Sequence, residues 1–297
     1  MVMDDLLLVI FCLIDDAIKH APLPRLRTRG PKPLLSDSEV IAMEIAGELD
    51  GIDRDKDIFR HFRRYHVQDF PALGRIHRTS FVRQAANLWR VKALLHRQLA
   101  ALLLEAEPLI EPVAIIDSFP LPVCRFARAP ACRRLKGYAA RGFDHTDNSV
   151  YYGLRVHLVC SDTGVVLRLQ VAAANVHDSD MVSELLSPGE LAYGDRNYWD
   201  PDLRHHLQSL GKHLIAPFRR KSTDPAPQLS KVISRIRQVI EPVIGQLAVR
   251  LNAKRTWARD LWHLSSRLWR KVLAHTTAML INMRLGNPPL KLAALLG

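Results

Sequence analysis

The sequence has few cysteines, and they show none of the spacings that carry cysteine chemistry. The four are Cys12, Cys124, Cys132 and Cys160, which form no C-x-x-C pair and have no histidines at a matching distance. Zinc sites and disulfide frameworks need such grouped patterns, so neither is predicted. We expect four reduced thiols, most of them buried.

Long apolar runs are also missing. The run near the N-terminus extends only from Leu6 to Ile14, and it is flanked by Asp4, Asp5, Asp15 and Asp16. A helix needs about 20 apolar residues to cross a bilayer, and a secretory signal begins with a positive segment rather than an acidic one. We therefore expect a buried helix of a cytoplasmic protein, with no membrane span.

Acidic residues are scarce relative to basic ones. The 297-residue chain has 42 lysines and arginines against 30 aspartates and glutamates, a formal charge of +12. No acid occurs from Ser118 to Phe143, and only Asp224 occurs from Gly211 to Arg237, whereas both segments carry several basic residues. Such an excess suggests a polyanionic partner. Nucleic acid is the leading candidate, and an anionic membrane surface is the second.

Up to about residue 108, apolar residues recur at helical spacing. Ser36 stands three residues before Glu39 and predicts a capping box at the start of one helix. A second apolar stripe predicts a single helix from about Ser80 to Glu105. Between them, the basic and aromatic stretch DIFRHFRRYH leaves two alternatives open: a helix-turn-helix DNA reader, or a helix with one packed and one solvated face.

From about residue 111 the pattern becomes strand-like. VAIIDS predicts a buried strand, and the runs on either side of Asp162, Thr163 and Gly164 predict a hairpin. A helix, two short strands separated by a helix, an exposed loop at 222–228 and further helices follow; there is no internal repeat. The order predicts an α/β domain with a mixed sheet (109–297, including the C-terminal helices) behind an all-helical domain (1–108).

Three carboxylates stand at informative positions. Asp117 and Asp195 each follow an apolar strand, and ligands of open α/β sheets bind at strand ends. Glu241 interrupts an apolar helical face, with Arg237 four residues before it. Each has a plain structural explanation on its own, which is a turn or helix cap for the aspartates and an ion pair with Arg237 for Glu241.

Taken together, the three acids favour a metal site for phosphoryl transfer. Mg2+ prefers oxygen ligands, and two cations held roughly 4 Å apart stabilise both the attacking and the leaving oxygen of an in-line displacement. The neighbouring basic runs supply the cations that a phosphate backbone needs. The candidate DNA-contacting residues are Arg133, Arg134, Lys136, Arg219, Arg220, Lys221 and Arg237.

Pro242 directly follows Glu241 in this predicted helix. A proline there removes the hydrogen bond to the Gln238 carbonyl and crowds it, at a cost of about 3 kcal/mol. We therefore predict a bend or break at residues 238–242.

From about residue 30 to 285, the chain resembles the DDE transposases of bacterial insertion sequences, whose catalytic domain has the RNase H-like fold. The resemblance rests on the ordered motifs IIDSFPLPVC, YYGLRVHL, AANVHDSDMVSELL, YGDRNYW and SRIRQVIEPVIGQL. It implies that Asp117, Asp195 and Glu241 are the catalytic triad and bind two divalent ions, Mg2+ or Mn2+. Such enzymes hydrolyse a phosphodiester to free a 3′ hydroxyl, which then attacks target DNA.

The resemblance also implies partners. The N-terminal helices would help to bind the terminal inverted repeats. The protein would act as a homo-oligomer on double-stranded DNA, both at the element ends and at the target, and would be associated with the nucleoid.

Some residues depart from the family pattern. Ser234 replaces a frequent tyrosine, Ala248 a frequent basic residue and Asn197 a frequent glycine. Ala248 supports the alternative of a catalytically inactive remnant or a DNA-binding regulator.

An aspartyl-phosphate phosphatase would need a second aspartate two residues after Asp117, where Phe119 stands. His177 and Asp178 either orient a metal ligand or cap the next helix.

Overall fold

The chain folds as two compact units. The computed structural model describes residues 3–20, 31–106, 113–145, 147–255 and 257–296. The helical unit comprises residues 1–103 with 249–297, and the sheet unit comprises residues 104–248. The predicted domain boundary after residue 108 lies outside the described residues.

Eleven α-helices occur in the described part of the chain, five before the sheet, two between its strands and four after it. They are α1 (Met3–His20), α2 (Asp37–Leu49), α3 (Asp55–Tyr65), α4 (Arg78–Asn87), α5 (Trp89–Glu105), α6 (Asp178–Leu185), α7 (Pro201–Ser209), α8 (Pro227–Arg237), α9 (Ile240–Gly245), α10 (Leu261–Arg284) and α11 (Ala293–Leu296). None of the described helices is long and apolar enough to cross a membrane.

Local sequence signals predicted the start of one N-terminal helix correctly but not the boundary between two others. The predicted capping box is confirmed, because the Ser36 hydroxyl accepts from the Glu39 N–H and Glu39 accepts from the Ser36 N–H. The single helix predicted over residues 80–105 is wrong, since α4 ends at Asn87 and α5 begins at Trp89. The buried Leu88 between them continues the apolar pattern, so periodicity gave no stop signal.

The C-terminal helix α10 belongs to the helical unit, where it packs on α2 and α4. This differs from the expectation that the C-terminal helices belong with the sheet. The reason is a set of buried charges: Arg270 donates to Glu48 and to Asp55, each at 2.6 Å, and Lys271 donates to Glu48 at 2.7 Å. Buried cations require such partners, and α2 and α3 provide them.

The sheet unit is built on six strands. They are β1 (Ala114–Arg125), β2 (Ala140–Asp144), β3 (Ser149–Ser161), β4 (Val166–Ala173), β5 (Leu191–Tyr193) and β6 (His213–Ile215). The order is β2-β3-β1-β5-β6, and β4 also pairs with β3. β1 is antiparallel to β3 and parallel to β5, which is parallel to β6. The predicted mixed sheet and the β3–β4 hairpin are confirmed, whereas β2 was not predicted.

β1 is longer than the sequence suggested. Asp117 lies inside the strand, opposite Leu158 of β3, and the strand continues through Pro120 and Pro122 to Arg125. Beyond Ile115, β1 no longer pairs with β5, so among the described residues β3 is the only strand paired with it there. Proline is tolerated on an edge strand, which explains why the prolines do not end β1.

The neighbours of Asp117 on β1 anchor the strand in the core of the sheet unit. Ala114 and Ile116 point into a buried cluster that includes residues of α6 and α7. Successive side chains of a strand alternate between the two faces, so Asp117 lies on the other face, where Arg237 at the end of α8 reaches it.

The predicted break before Glu241 is confirmed. α8 ends at Arg237, Gln238 and Val239 form a turn, and α9 begins at Ile240. Pro242 has no N–H to offer the Gln238 carbonyl, so a continuous helix loses a bond at this point.

The expectation for the cysteines was only half correct. All four thiols are free, but only Cys160 is buried, while Cys12 is exposed and Cys124 and Cys132 are partly exposed.

Candidate active site

Asp117 and Asp195 occupy equivalent positions on neighbouring parallel strands. The parallel pairing between β1 and β5 ends at Ile115 and Tyr193. Each aspartate lies two residues after the last residue of its strand in this pairing. Adjacent strands lie about 4.8 Å apart, so the sheet places the two carboxylates side by side. The sequence predicts both as site residues, and the structure shows that Asp117 follows the end of the β1–β5 ladder and not the end of β1.

Both oxygens of Asp117 are engaged. Oδ1 accepts the Ser118 N–H at 2.8 Å, and Oδ2 accepts from Nη2 of Arg237 at 2.8 Å. Burial raises the pKa of Asp117 to about 6, the Arg237 guanidinium opposes this rise, and the charges of Asp195 and Asp178 add to it. The carboxylate is therefore held in place, yet its charged form remains costly even beside Arg237, so a further cation would stabilise it.

Asn197 makes two hydrogen bonds to the Asp195 carboxylate. Its Oδ1 accepts the Asn197 N–H and its Oδ2 accepts from Nδ2 of Asn197, both at 2.9 Å. Asp195 thus caps the 3-10 turn Arg196–Tyr198, as the simpler explanation suggested, and its charge also acts on Asp117. Burial raises its pKa, while Arg237 lowers it. The departure from glycine at position 197 has a structural role here, because the asparagine side chain fixes the carboxylate.

A third aspartate contributes to the same field. Asp178, the first residue of α6, accepts from Nη1 of Arg155 at 3.1 Å. The fully buried His157 places Nδ1 3.5 Å from Asp178 Oδ1. Burial lowers the pKa of His157 to about 4, so the imidazole is neutral at physiological pH. Of the two alternatives for His177 and Asp178, side-chain capping is not observed, because α6 has no side-chain cap bond.

Tyr198 lies near the three aspartates and was not predicted as a site residue from the sequence. Its buried hydroxyl has no hydrogen-bond partner among the described residues. Burial, followed by the charges of Asp178, Asp117 and Asp195, raises its pKa well above the usual value. A signal was present in Gly194, since a Cβ at that position would lie 2.9 Å from the Tyr198 Cβ. The glycine marks the close approach of this ring, and not only a turn.

Glu241 does not join the two aspartates. It is exposed on α9 and has no hydrogen bond or ion pair with any described residue. Arg237 pairs with Asp117 and not with Glu241, so the simple i,i+4 pair is not formed. Among the residues that the structure describes, no three His, Cys, Asp or Glu side chains stand close enough to hold one metal ion.

The basic candidates fall into three groups. Arg219, Arg220 and Lys221 are consecutive and exposed between β6 and α8, and Arg133 and Lys136 are exposed after β1. Arg134 donates to the Val123 carbonyl at 3.2 Å, which ties its loop to β1. Arg237 lies within the carboxylate site itself.

The paired aspartates suit a hard divalent cation. Each carboxylate offers about four acceptor positions, and the hydrogen bonds to Ser118, Arg237 and Asn197 take two positions on each. Mg2+ is commonly bound through one or two protein carboxylates together with water and substrate phosphates. The donor chemistry therefore fits, whereas a three-carboxylate cage is not assembled.

A family model described as a transposase DDE domain matches residues 108–260, which is more than half of the chain and includes Asp117, Asp195 and Glu241. The chain belongs to this family. No match was found among curated proteins or among solved structures. As a member of the transposase DDE family, the chain is a transposase whose general chemistry is DNA strand breakage and joining. The match ends just before α10, the helix that packs within the helical unit.

Proposed function

We propose that this chain is the transposase of an insertion sequence and that its sheet unit is an RNase H-like domain that cleaves element ends and transfers the strands to target DNA. The observation that carries the proposal is the register-matched pair Asp117 and Asp195 inside the family-matched segment. The sheet has an antiparallel half, in which β2 and β4 both pair with β3 and β3 pairs with β1, and a parallel half of β1, β5 and β6, and this arrangement supports the RNase H-like assignment.

Asp117 and Asp195 would hold the divalent ions, Mg2+ or Mn2+, with Glu241 as the third ligand suggested by the family resemblance. Bound there, such ions supply an activated water and stabilise the charge of an in-line phosphoryl transfer. Glu241 lies on α9, directly after the Gln238–Val239 turn. That turn is where a change in the direction of α9 would bring Glu241 toward the pair.

Arg237 holds Asp117 ionised and can also contact DNA. Its Nη2 is bound to Asp117, while its Nε is buried without a hydrogen-bond partner among the described residues. Charge-assisted bonds from arginine to phosphate are short and strong. The same side chain therefore serves the carboxylate before DNA arrives and a phosphate oxygen afterwards. The exposed Arg219, Arg220 and Lys221 would bind phosphates farther along the terminal inverted repeats.

Cleavage of DNA that flanks the coding sequence tests this function. The purified protein is incubated with a plasmid carrying that DNA, with Mg2+ or EDTA, and new 3′ hydroxyl ends are mapped. We expect Mg2+-dependent cleavage that is abolished by Asp117→Asn and by Asp195→Asn and kept by Asp147→Asn, an exposed turn residue of the same unit. Loss of cleavage with Glu241→Gln would support the third ligand. Cleavage by Asp117→Asn at the wild-type rate would overturn the site.

A second candidate function is a DNA-binding regulator that has lost catalysis. The exposed position of Glu241 and the absence of a three-ligand group among the described residues favour it. It predicts specific binding of the flanking DNA by the wild type without Mg2+-dependent cleavage. The proposed homo-oligomer on DNA fits either function, so oligomeric state does not separate them.

A further inference from the structure

The helical unit contains an open groove of about 800 Å3 that the catalytic proposal does not use. It lies between the first turn of α3, the whole length of α4, and the first turns of α10 with the segment that leads into it. The lining side chains that matter here are Arg54, Arg78, Arg83, Arg259, Trp257 and Trp262.

The groove is strongly positive. Five arginines line it, and four of them, at positions 54, 78, 83 and 259, form no ion pair with any described residue. Asp55 is the only acid among the described residues that line the groove, and it already pairs with Arg267 and Arg270 at 2.6 Å each. Unpaired arginines concentrated in a concave surface attract a polyanion.

The groove also presents two indole rings. Trp257 is 45% exposed and Trp262 is 46% exposed. The Arg54 guanidinium lies 4.3 Å from the Trp257 ring centroid, and Nε1 of Trp262 donates to Asn87 at 3.2 Å. Each ring is thus held in place by a neighbour, while nearly half of its surface remains open.

We propose that this groove binds a single, unpaired DNA strand, with the arginines on phosphates and Trp257 and Trp262 stacked on bases. Positive grooves with exposed aromatic rings are the recurring device for single strands, because every base has a face that can stack. In a duplex, the bases already stack on one another and offer no such face. An acidic polypeptide would satisfy the arginines but would leave the two indole faces without partners.

The inference rests on the proposed function in one respect, which is that the polyanion is DNA. An unpaired strand is available where a duplex ends, and the proposed reaction takes place at DNA ends. Cleavage and groove binding can nevertheless be measured separately, since one depends on Asp117 and the other on the arginines and tryptophans.

Fluorescence anisotropy in EDTA measures binding without cleavage, using a labelled oligo-dT strand and a duplex of equal length. We expect tighter binding of the single strand. Arg78→Ala combined with Arg83→Ala should weaken it about tenfold and reduce the slope of log K against log salt by about 1.4, which is roughly 0.7 per phosphate contact. Trp257→Ala should weaken binding about tenfold, whereas Trp257→Phe should retain most of it.

The matched control is Arg97→Ala, an exposed arginine on α5 outside the groove, which should bind like the wild type. Circular dichroism establishes that each variant is folded. Equal binding by the groove variants and the wild type would overturn the inference, as would equally strong competition by polyglutamate of matched charge. Asp117→Asn should keep full oligonucleotide binding. If the wild type cleaves DNA and the groove variants bind the oligonucleotide as well as the wild type does, only the groove proposal is removed.

Discussion

Asp117 combines burial with two acidic neighbours, and this combination makes its charge depend on what lies beside it. Sequence reasoning identified the residue, because a carboxylate inside an apolar strand motif is uncommon. It did not identify the partners, since Arg237 lies 120 positions away and reaches Asp117 only through the packing of α8. The sequence therefore predicts the acidic residues of the site, but only the tertiary structure shows that Arg237 is the cation that pairs with Asp117.

The raised pKa of Asp117 predicts a pH-dependent change in stability. An unfolded aspartate ionises near the ordinary value of 3.8, but the folded one ionises only at about 6. The metal-free wild type should therefore lose stability as the pH rises from about 4 to about 6, and the Asp117→Asn variant should not. Urea unfolding in EDTA should show Asp117→Asn gaining on the order of 2 kcal/mol relative to the wild type across this window.

Asp147→Asn is the control for this titration, since Asp147 is exposed. A stability difference between wild type and Asp117→Asn that stays the same from pH 4.5 to pH 8 would contradict the assignment.

Arg237 should tune the same carboxylate. Its guanidinium lowers the pKa of Asp117 against the effect of burial. We expect Arg237→Ala to raise the pKa of Asp117 further, as measured from the carboxyl 13C shift during a pH titration. Arg235→Ala, an exposed arginine two residues earlier on the same helix, should leave that pKa unchanged. An unchanged titration in Arg237→Ala would mean that the ion pair does not form in solution.

At the scale of elements, the β1–β3 ladder carries the site, and Gly153 permits it. A Cβ on Gly153 would clash with the Leu121 carbonyl oxygen and lie 3.0 Å from Pro122 Cα, both of them backbone atoms of β1. Gly153→Ala should therefore destabilise the protein by about 1–3 kcal/mol, measured by urea unfolding. Gly245→Ala is the matched control, because nothing lies within 4 Å of its Cβ position in α9. It should be neutral or slightly stabilising.

Elements were predicted well where a local signal exists. The capping box at Ser36, the turn at Gly164 and the break caused by Pro242 all follow from the chemistry of a few adjacent residues. They were predicted poorly where a distant neighbour decides. The prolines of β1 are acceptable only because β5 stops pairing at Ile115, and no local pattern shows this.

At the scale of the whole chain, α10 is held in the helical unit by buried charges from distant segments. Lys92 donates to Ser266 at 2.8 Å and pairs with Glu44 at 2.6 Å, and both charged side chains are fully buried. Composition and periodicity cannot reveal such pairing, because the partners are up to 226 residues apart, as for Arg270 and Glu44. For this reason the sequence assigned α10 to the wrong unit.

Removing one member of this buried network should be costly. Lys92→Met leaves Glu44 without its closest cation and should destabilise the protein by about 3–5 kcal/mol. The double variant Lys92→Met with Glu44→Gln should recover much of that loss. Lys19→Met, in the exposed pair with Asp15, should change the unfolding midpoint little. A single variant no less stable than the double variant would show that the pair contributes little.

Manganese binding tests the pairing of Asp117 with Asp195 most directly. The EPR signal of free Mn2+ reports how much ion the metal-free protein takes up, without any DNA substrate. We predict uptake by the wild type and by Asp147→Asn, and an affinity at least about tenfold weaker for both Asp117→Asn and Asp195→Asn. Unchanged Mn2+ affinity in the two aspartate variants would contradict the claim that these carboxylates form one metal-binding centre.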